Sequence, residues 1–91
     1  MLVTLQTAKQ YLRVDTSDED ELITGLIRSS EKYCREILRL TDDETLPDTP
    51  EVLVAVLYAL AFLYEHRENG GHIEMMKNLR VMLGGDRKEV F

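Results

Sequence analysis

The sequence contains little cysteine and no tryptophan: Cys34 is its single thiol. One cysteine cannot form an intrachain disulfide, and no Cys/His spacing in the chain resembles a zinc site. We therefore expect a disulfide-free protein of a reducing compartment. Because Cys34 falls on the apolar face of a predicted helix, we interpret it as a small buried hydrophobic residue rather than as a nucleophile.

The chain also lacks an excess of positive charge. Lys and Arg number 11 against 17 Asp and Glu, which gives a formal net charge of -6. Tight binding to duplex DNA needs a concentration of Lys and Arg, so this composition argues against a duplex-binding surface. It does not exclude a lumen through which DNA slides without being gripped.

A membrane-spanning stretch is missing as well. The longest apolar run, residues 52–64, interrupted only by the hydroxyls of two tyrosines, is shorter than the roughly 20 residues that cross a bilayer. No basic segment followed by an apolar one opens the chain, so we predict a soluble, unsecreted protein. A helix that is apolar all round must be covered by other helices or by other subunits.

The pattern that is present predicts an all-α fold. Apolar residues recur at helical spacing in four segments, and no strand pattern of useful length appears. We expect helices over residues 5–13, 18–40, 50–68 and 73–83, with the third one central and nearly all apolar. Residues 1–91 would form a single domain with a short charged C-terminal tail.

Local signals mark the ends of these helices. Thr4 and Thr49-Pro50 are suited to begin the first and third helices. Ser17 with Asp20 resembles a loose capping box for the second helix, and Asn69-Gly70-Gly71 can end the third. In the fourth helix one apolar side is predicted to carry Ile73, Met76, Leu79 and Leu83, while two methionines away from this line, Met75 and Met82, widen its apolar surface.

A basic stripe on the second helix is the main candidate interface. Steps of four, three and four place its members on one line, nearly opposite the apolar face: Arg28, Lys32, Arg35 and Arg39. It could contact an acidic partner surface or face nucleic acid. Alternatively, it is a solvated face whose C-terminal half favours cations. In an oligomer, the acidic segments 18–21 and 42–44 are candidate neighbours for the stripe.

The segment Glu65-His66-Arg67-Glu68 gathers ionisable groups and suggests a metal or acid/base site. A metalloenzyme helix would carry two His four residues apart with a carboxylate between them, which this segment lacks. We interpret it as the end of a helix. The chain also lacks a Gly-rich phosphate loop and a nucleophile elbow. We therefore predict no catalytic residue, no cofactor and no metal site, and expect that the protein is not an enzyme.

Two segments carry a family resemblance. The opening Leu2–Asp15, followed by an acidic cap and Asp20-Glu21-Leu22-Ile23, and the ending Tyr64-Glu65-His66-Arg67-Glu68 of the apolar helix resemble the head-tail connector (adaptor) proteins of tailed phages and prophages. Members of that family are often labelled DNA-packaging proteins. The resemblance covers about residues 2–83, and it identifies Tyr64, Glu65 and Arg67 as a structural family motif.

The resemblance implies a structural adaptor of the virion neck, made in the host cytoplasm. Subunits would form a homo-oligomeric ring of around twelvefold symmetry, closed by head-to-tail contacts. The ring would lie beneath the portal protein, bind the next head-completion or tail protein, and let DNA pass without sequence-specific binding or contact with a membrane. The basic stripe would supply electrostatic contacts, and Val90 and Phe91 an apolar arm.

A second hypothesis comes from a different class of protein. A small helical regulatory or protein-interaction module would have the same composition and helical pattern. A helix-turn-helix would need a basic helix after a tight turn, but the helix after the glycine pair carries only Lys77 and Arg80. Salt-dependent affinity for duplex DNA would favour this alternative.

Overall fold

The computed structural model describes residues 2–41, 43–66 and 71–84, and it confirms an all-α fold. The four helices are α1 (Leu5–Leu12), α2 (Asp20–Leu38), α3 (Pro50–Glu65) and α4 (His72–Met82). These residues contain no strand. Among them, no helix combines the length and the apolar character needed to cross a membrane.

Helix α1 begins as its sequence predicts. The Thr4 hydroxyl accepts a hydrogen bond from the backbone N–H of Thr7 at 3.1 Å, which satisfies one of the free donors of the first turn. Val3 and Ala8 are both buried on either side of this cap, in the positions of a hydrophobic staple. The cap and the staple together fix the angle at which the N-terminal segment enters the fold.

The beginning of α2 differs from the prediction. The capping box of Ser17 and Asp20 is wrong, because the helix begins at Asp20 and the Ser17 backbone carbonyl, rather than its hydroxyl, accepts the Asp20 N–H at 3.3 Å. The Asp20 carboxylate instead lies 2.7 Å from the Lys9 ammonium group on α1. Asp20 therefore forms an ion pair with α1, and no side chain caps the first turn of α2.

Helix α3 is the central element. Thr49 caps it through the N–H of Val52 at 3.2 Å, and Pro50 is its first residue. Helix α2 lies along it, while α1 and α4 each contact both α2 and α3 and do not contact each other. The face toward the core is fully or nearly fully buried: Val52, Ala55, Val56, Ala59, Leu60 and Leu63. Burial is not complete all round, however, since Val54 is 55% exposed.

The connection from α3 to α4 depends on a glycine. Helix α3 ends at Glu65 with His66 as its C-cap, and the predicted continuation to residue 68 lies outside the described residues. Gly71 has a φ of 85°, and a Cβ there would lie 3.3 Å from the Cζ atom of Phe62. Both the left-handed backbone and the close approach to the ring favour glycine at this position.

The buried face of α4 also differs from the prediction. Ile73 is 81% exposed, whereas Met75, Leu79 and Leu83 are completely buried and Met76 is half-buried. Met75 and Met76 are neighbours of equal character, so spacing alone allowed either one to be the inward residue. Packing in the core buries Met75 and the residues four and eight positions after it, Leu79 and Leu83.

Gly25 provides a stability prediction, because it stands in the middle of α2 on the exposed side. Its φ is not positive, and a Cβ there would meet no atom within 4 Å. We expect Gly25→Ala to raise the free energy of unfolding by about 0.5–1 kcal/mol, measured by urea unfolding of dilute protein. The matched variant Gly71→Ala should lower it. A Gly25→Ala protein less stable than the parent would contradict the prediction.

Candidate functional site

The four residues of the basic stripe on α2 differ in their exposure to solvent. Arg28 and Lys32 are exposed on the helix, and Arg39 is exposed just beyond it, as a C-cap with a left-handed φ of 61°. Arg35 is half-buried: its Nε donates to the Glu44 carbonyl at 3.0 Å, and its guanidinium lies 3.8 Å from a Glu31 carboxylate oxygen. Three of the four cations therefore face solvent, and the fourth points into the subunit.

A buried carboxylate, Glu31, lies at the centre of this arrangement. It is 3% exposed and accepts the backbone N–H groups of Leu2 at 2.7 Å and Val3 at 3.3 Å. Two donors and a nearby guanidinium offset much of the cost of removing the charge from water. Glu31 therefore fixes the N-terminal segment onto the middle of α2.

Sequence reasoning missed Glu31, although a signal was present. It stands four residues after Ile27 and three before Cys34, both of which are completely buried. Residues at these spacings share a helix face. A glutamate on the inner face of an amphipathic helix must find donors there, which predicts a structural carboxylate.

The loop between α2 and α3 is fastened to the same place. The Glu44 carboxylate accepts the Thr41 N–H at 3.1 Å, while its backbone carbonyl accepts from Arg35. A groove of about 390 Å³ lies over Glu31 and Arg35, between the N-terminal segment and this loop. Glu44 and Arg35 thus act within the subunit, whereas Asp43 is exposed.

The Glu31 contacts give a second prediction. Glu31→Gln keeps the shape of the side chain but removes its charge and places an amide among N–H donors. We expect the free energy of unfolding to fall by about 1.5–3 kcal/mol, the usual contribution of hydrogen bonds to a charged group. Chemical denaturation measures it. Glu36→Gln, at an exposed position of the same helix, is the control and should change little; equal losses in both variants would contradict the assignment.

The motif at the end of α3 has a visible structural role. The Tyr64 hydroxyl donates to a Glu19 carboxylate oxygen at 2.5 Å, which joins the end of α3 to the residue before α2. Glu65 is exposed, and Arg67 lies outside the described residues. Tyr64 therefore acts as a tie between helices.

The neighbouring histidine also has local partners. His66 stacks on Phe62, with ring centroids 4.2 Å apart, and its Nδ1 lies 3.0 Å from the Phe62 carbonyl oxygen. In the described ranges, no three side chains of His, Cys, Asp or Glu are grouped so that they could hold a metal ion. The geometry around His66 is that of a helix end packed on an aromatic ring.

Cys34 is confirmed as a buried free thiol. Its pKa is raised to about 12, chiefly by burial and then by the negative charge of Glu31, while Arg35 acts in the opposite direction. A nucleophilic cysteine needs a lowered pKa and access to solvent. Cys34 has neither property.

This environment predicts an unreactive thiol. With a pKa of about 12, roughly one thiol in ten thousand is ionised at pH 8. We expect Ellman's reagent to label Cys34 in folded protein at least roughly a hundredfold more slowly than in urea. A Thr16→Cys variant, at an exposed loop position, should add one rapidly labelled thiol. Rapid labelling of folded parent protein would contradict the burial.

Some of the remaining predicted interface residues are bonded within the subunit, and others are exposed, as in the basic stripe. Within the acidic segment 18–21, Glu19 and Asp20 are bonded to Tyr64 and Lys9, whereas Asp18 and Glu21 are exposed. Asp42, Val90 and Phe91 lie outside the described residues. The surface therefore offers charges of both signs along α2: acids at and just before its beginning, and bases from its middle to its C-cap.

A family model described as phage gp6-like head-tail connector protein matches residues 2–82, a range that includes α1, α2, α3 and α4. No curated protein and no solved structure matches the chain.

Proposed function

Since the chain belongs to the phage gp6-like head-tail connector family, a family of structural rather than enzymatic proteins, we propose that it assembles as a ring beneath the portal of a tailed phage or prophage. The ring extends the DNA channel and completes the packaged head. The observation that carries the proposal is the family match over residues 2–82, which takes in all four described helices.

The build of the subunit supports this role. A ring subunit must present the same faces at every position of the ring, so its helices have to stay fixed relative to one another. Contacts between distant parts of the chain do this here: Lys9 with Asp20, Tyr64 with Glu19, and Glu31 with the N-terminal segment. The charged side chains left on the surface are then free to bind neighbours.

Exposed charges of both signs support self-assembly. A ring closes through head-to-tail contacts, in which one patch of a subunit meets a different patch of the next. Arg28, Lys32 and Arg39 form the basic patch in this proposal, and its candidate partners are exposed acids of the next copy, such as Asp18, Asp43 and Glu74. Arg35 contributes indirectly, because it orders the loop before α3.

The net charge of -6 fits a channel that lets DNA pass. Tight phosphate binding would slow the movement of DNA, and such binding requires many Lys and Arg contacts. The partners in this proposal are the portal protein on one side of the ring and the next head-completion or tail protein on the other. The location is the head-tail neck of the virion, and the ring is around twelvefold in cyclic symmetry.

The proposal is tested by light scattering and negative-stain microscopy over a range of concentrations, with and without purified portal rings. We expect closed rings, formed by the protein alone or on the portal. A protein that stays monomeric at every concentration and does not bind portal rings would refute the proposal. Salt-sensitive binding to duplex DNA by such a monomer would instead favour the regulatory module.

Charge reversal tests the basic patch. Arg28 makes no ion pair within the described part of the subunit, so Arg28→Glu should leave helical content unchanged by circular dichroism. We expect it to raise the concentration needed for assembly by roughly tenfold, because like charges meet at the interface. Arg13→Glu carries the same charge change on an exposed residue outside α2 and should assemble normally. Equal assembly of both variants would remove Arg28 from the interface.

A further inference from the structure

Neither backbone conformation nor packing among the described residues explains a glycine at position 25. It stands inside α2, away from both ends, yet its backbone does not need the freedom of glycine and an added Cβ would meet nothing within 4 Å. Glycine inside a helix lowers stability relative to alanine. A close approach by a backbone or side chain from outside the subunit would explain why glycine is present.

A groove lies over this glycine. It has a volume of about 310 Å³ and is lined by Asp20, Glu21, Thr24, Gly25 and Arg28. We call it the glycine groove. Asp20 is already paired with Lys9, so Glu21 is the available acid and lies on the N-terminal side of Gly25, with Arg28 on the C-terminal side. Leu22, which is 38% exposed, adds apolar surface beside it.

The outer face of α4 carries a matching feature. Ile73 and Val81 are 81% and 82% exposed, the highest values among the large hydrophobic residues described. Lys77 stands midway between them at a spacing of four residues, so the three side chains follow the side of α4 that faces away from Met75 and Leu79. We call Ile73, Lys77 and Val81 the α4 stripe.

We propose that the α4 stripe of one copy of this chain packs across the glycine groove of the next copy. The missing side chain at Gly25 lets a helix approach closely, and Ile73 and Val81 would cover the backbone there. With the two helices antiparallel, Lys77 lies toward Glu21 and the neighbouring Glu74 toward Arg28. Both ends of the contact then pair opposite charges.

We assign the partner that binds the glycine groove as a second copy of this chain, because the chain itself carries both the groove and the complementary α4 stripe. The groove and the stripe are different patches on different helices, so the contact is head-to-tail and can close a ring. The inference rests on the proposed ring and specifies which surfaces form its joint. It also accounts for Arg28, which lines the groove.

Two blocking variants test the joint. Gly25→Leu fills the groove, and Ile73→Glu with Val81→Glu removes the apolar part of the stripe. At a concentration at which the parent protein assembles, we expect each variant alone to be monomeric by analytical ultracentrifugation. An equimolar mixture should form a one-to-one pair and nothing larger, because the mixture retains one intact groove and one intact stripe per pair.

Matched controls separate interface effects from folding effects. Gln6→Leu adds leucine at an exposed position of α1, and Tyr11→Glu replaces an exposed large hydrophobic residue outside the stripe. Both should assemble like the parent. All variants should keep the helical circular dichroism of the parent. Gly25→Ala is a further control at the groove itself: its melting temperature is expected to rise, yet it should assemble less well than the parent.

A charge exchange tests the pairing across the joint. Lys77→Glu and Glu21→Lys should each raise the dissociation constant several-fold, by up to roughly tenfold. The double variant should recover most of the affinity, because every copy then presents the reversed pair to its neighbour. If Lys77 and Glu21 do not interact, the two single increases in the dissociation constant should multiply in the double variant. A double variant that binds this weakly would overturn the pairing of Lys77 with Glu21.

Failure of this contact and failure of the ring are distinguishable. Parent rings together with blocking variants that assemble normally would overturn the joint and leave the ring intact. Mixtures that stay monomeric would also overturn it, since they would point to a symmetrical contact or to another surface. Blocking variants that assemble but no longer bind portal rings would assign the groove or the stripe to the portal. A parent that never assembles would refute the ring and the joint together.

Discussion

Burial of α3 by three other helices of one short chain is the constraint on which the rest of the structure depends. A chain of 91 residues buries only roughly 60 to 65% of the surface that its unfolded form exposes. The small residues Ala55 and Ala59 lie fully buried on α3, where they leave room for neighbouring helices. Because α1 and α4 do not contact each other, each depends on the α2–α3 pair for its position.

Polar contacts, in addition to the apolar core, hold the helices in place relative to one another. Lys9 with Asp20 fastens α1 to α2, and Tyr64 with Glu19 fastens the end of α3 to the start of α2. The carboxylate of Glu31 is the most demanding of these contacts, since a buried charge without partners is strongly destabilising. The N–H groups of Leu2 and Val3 make it a stabilising feature, and they also set the position of the first residues of the fold.

The sequence was most informative where structure is decided locally. Thr4, and Thr49 with Pro50, mark helix starts through contacts within one turn, and the helical spacing around Cys34 predicted its burial. The pattern failed where a distant partner decides the outcome. Lys9 competes for the carboxylate of Asp20, and packing on α2 and α3 selects Met75 over its neighbour as the buried residue. The candidate interface shows the same limit, because the loop carbonyl of Glu44 turns Arg35 away from the stripe.

The contact of Glu31 with the N-terminal segment has a consequence for the order of events during synthesis. Residues 2 and 3 leave the ribosome before their acceptor, which follows 29 and 28 positions later along the chain. Helix α1 is too short to be stable alone, so it has to wait until the middle of α2 has emerged and brought the carboxylate. In the finished subunit the amides of residues 2 and 3 donate to a buried carboxylate. They should therefore exchange their hydrogens slowly, although they lie outside any helix.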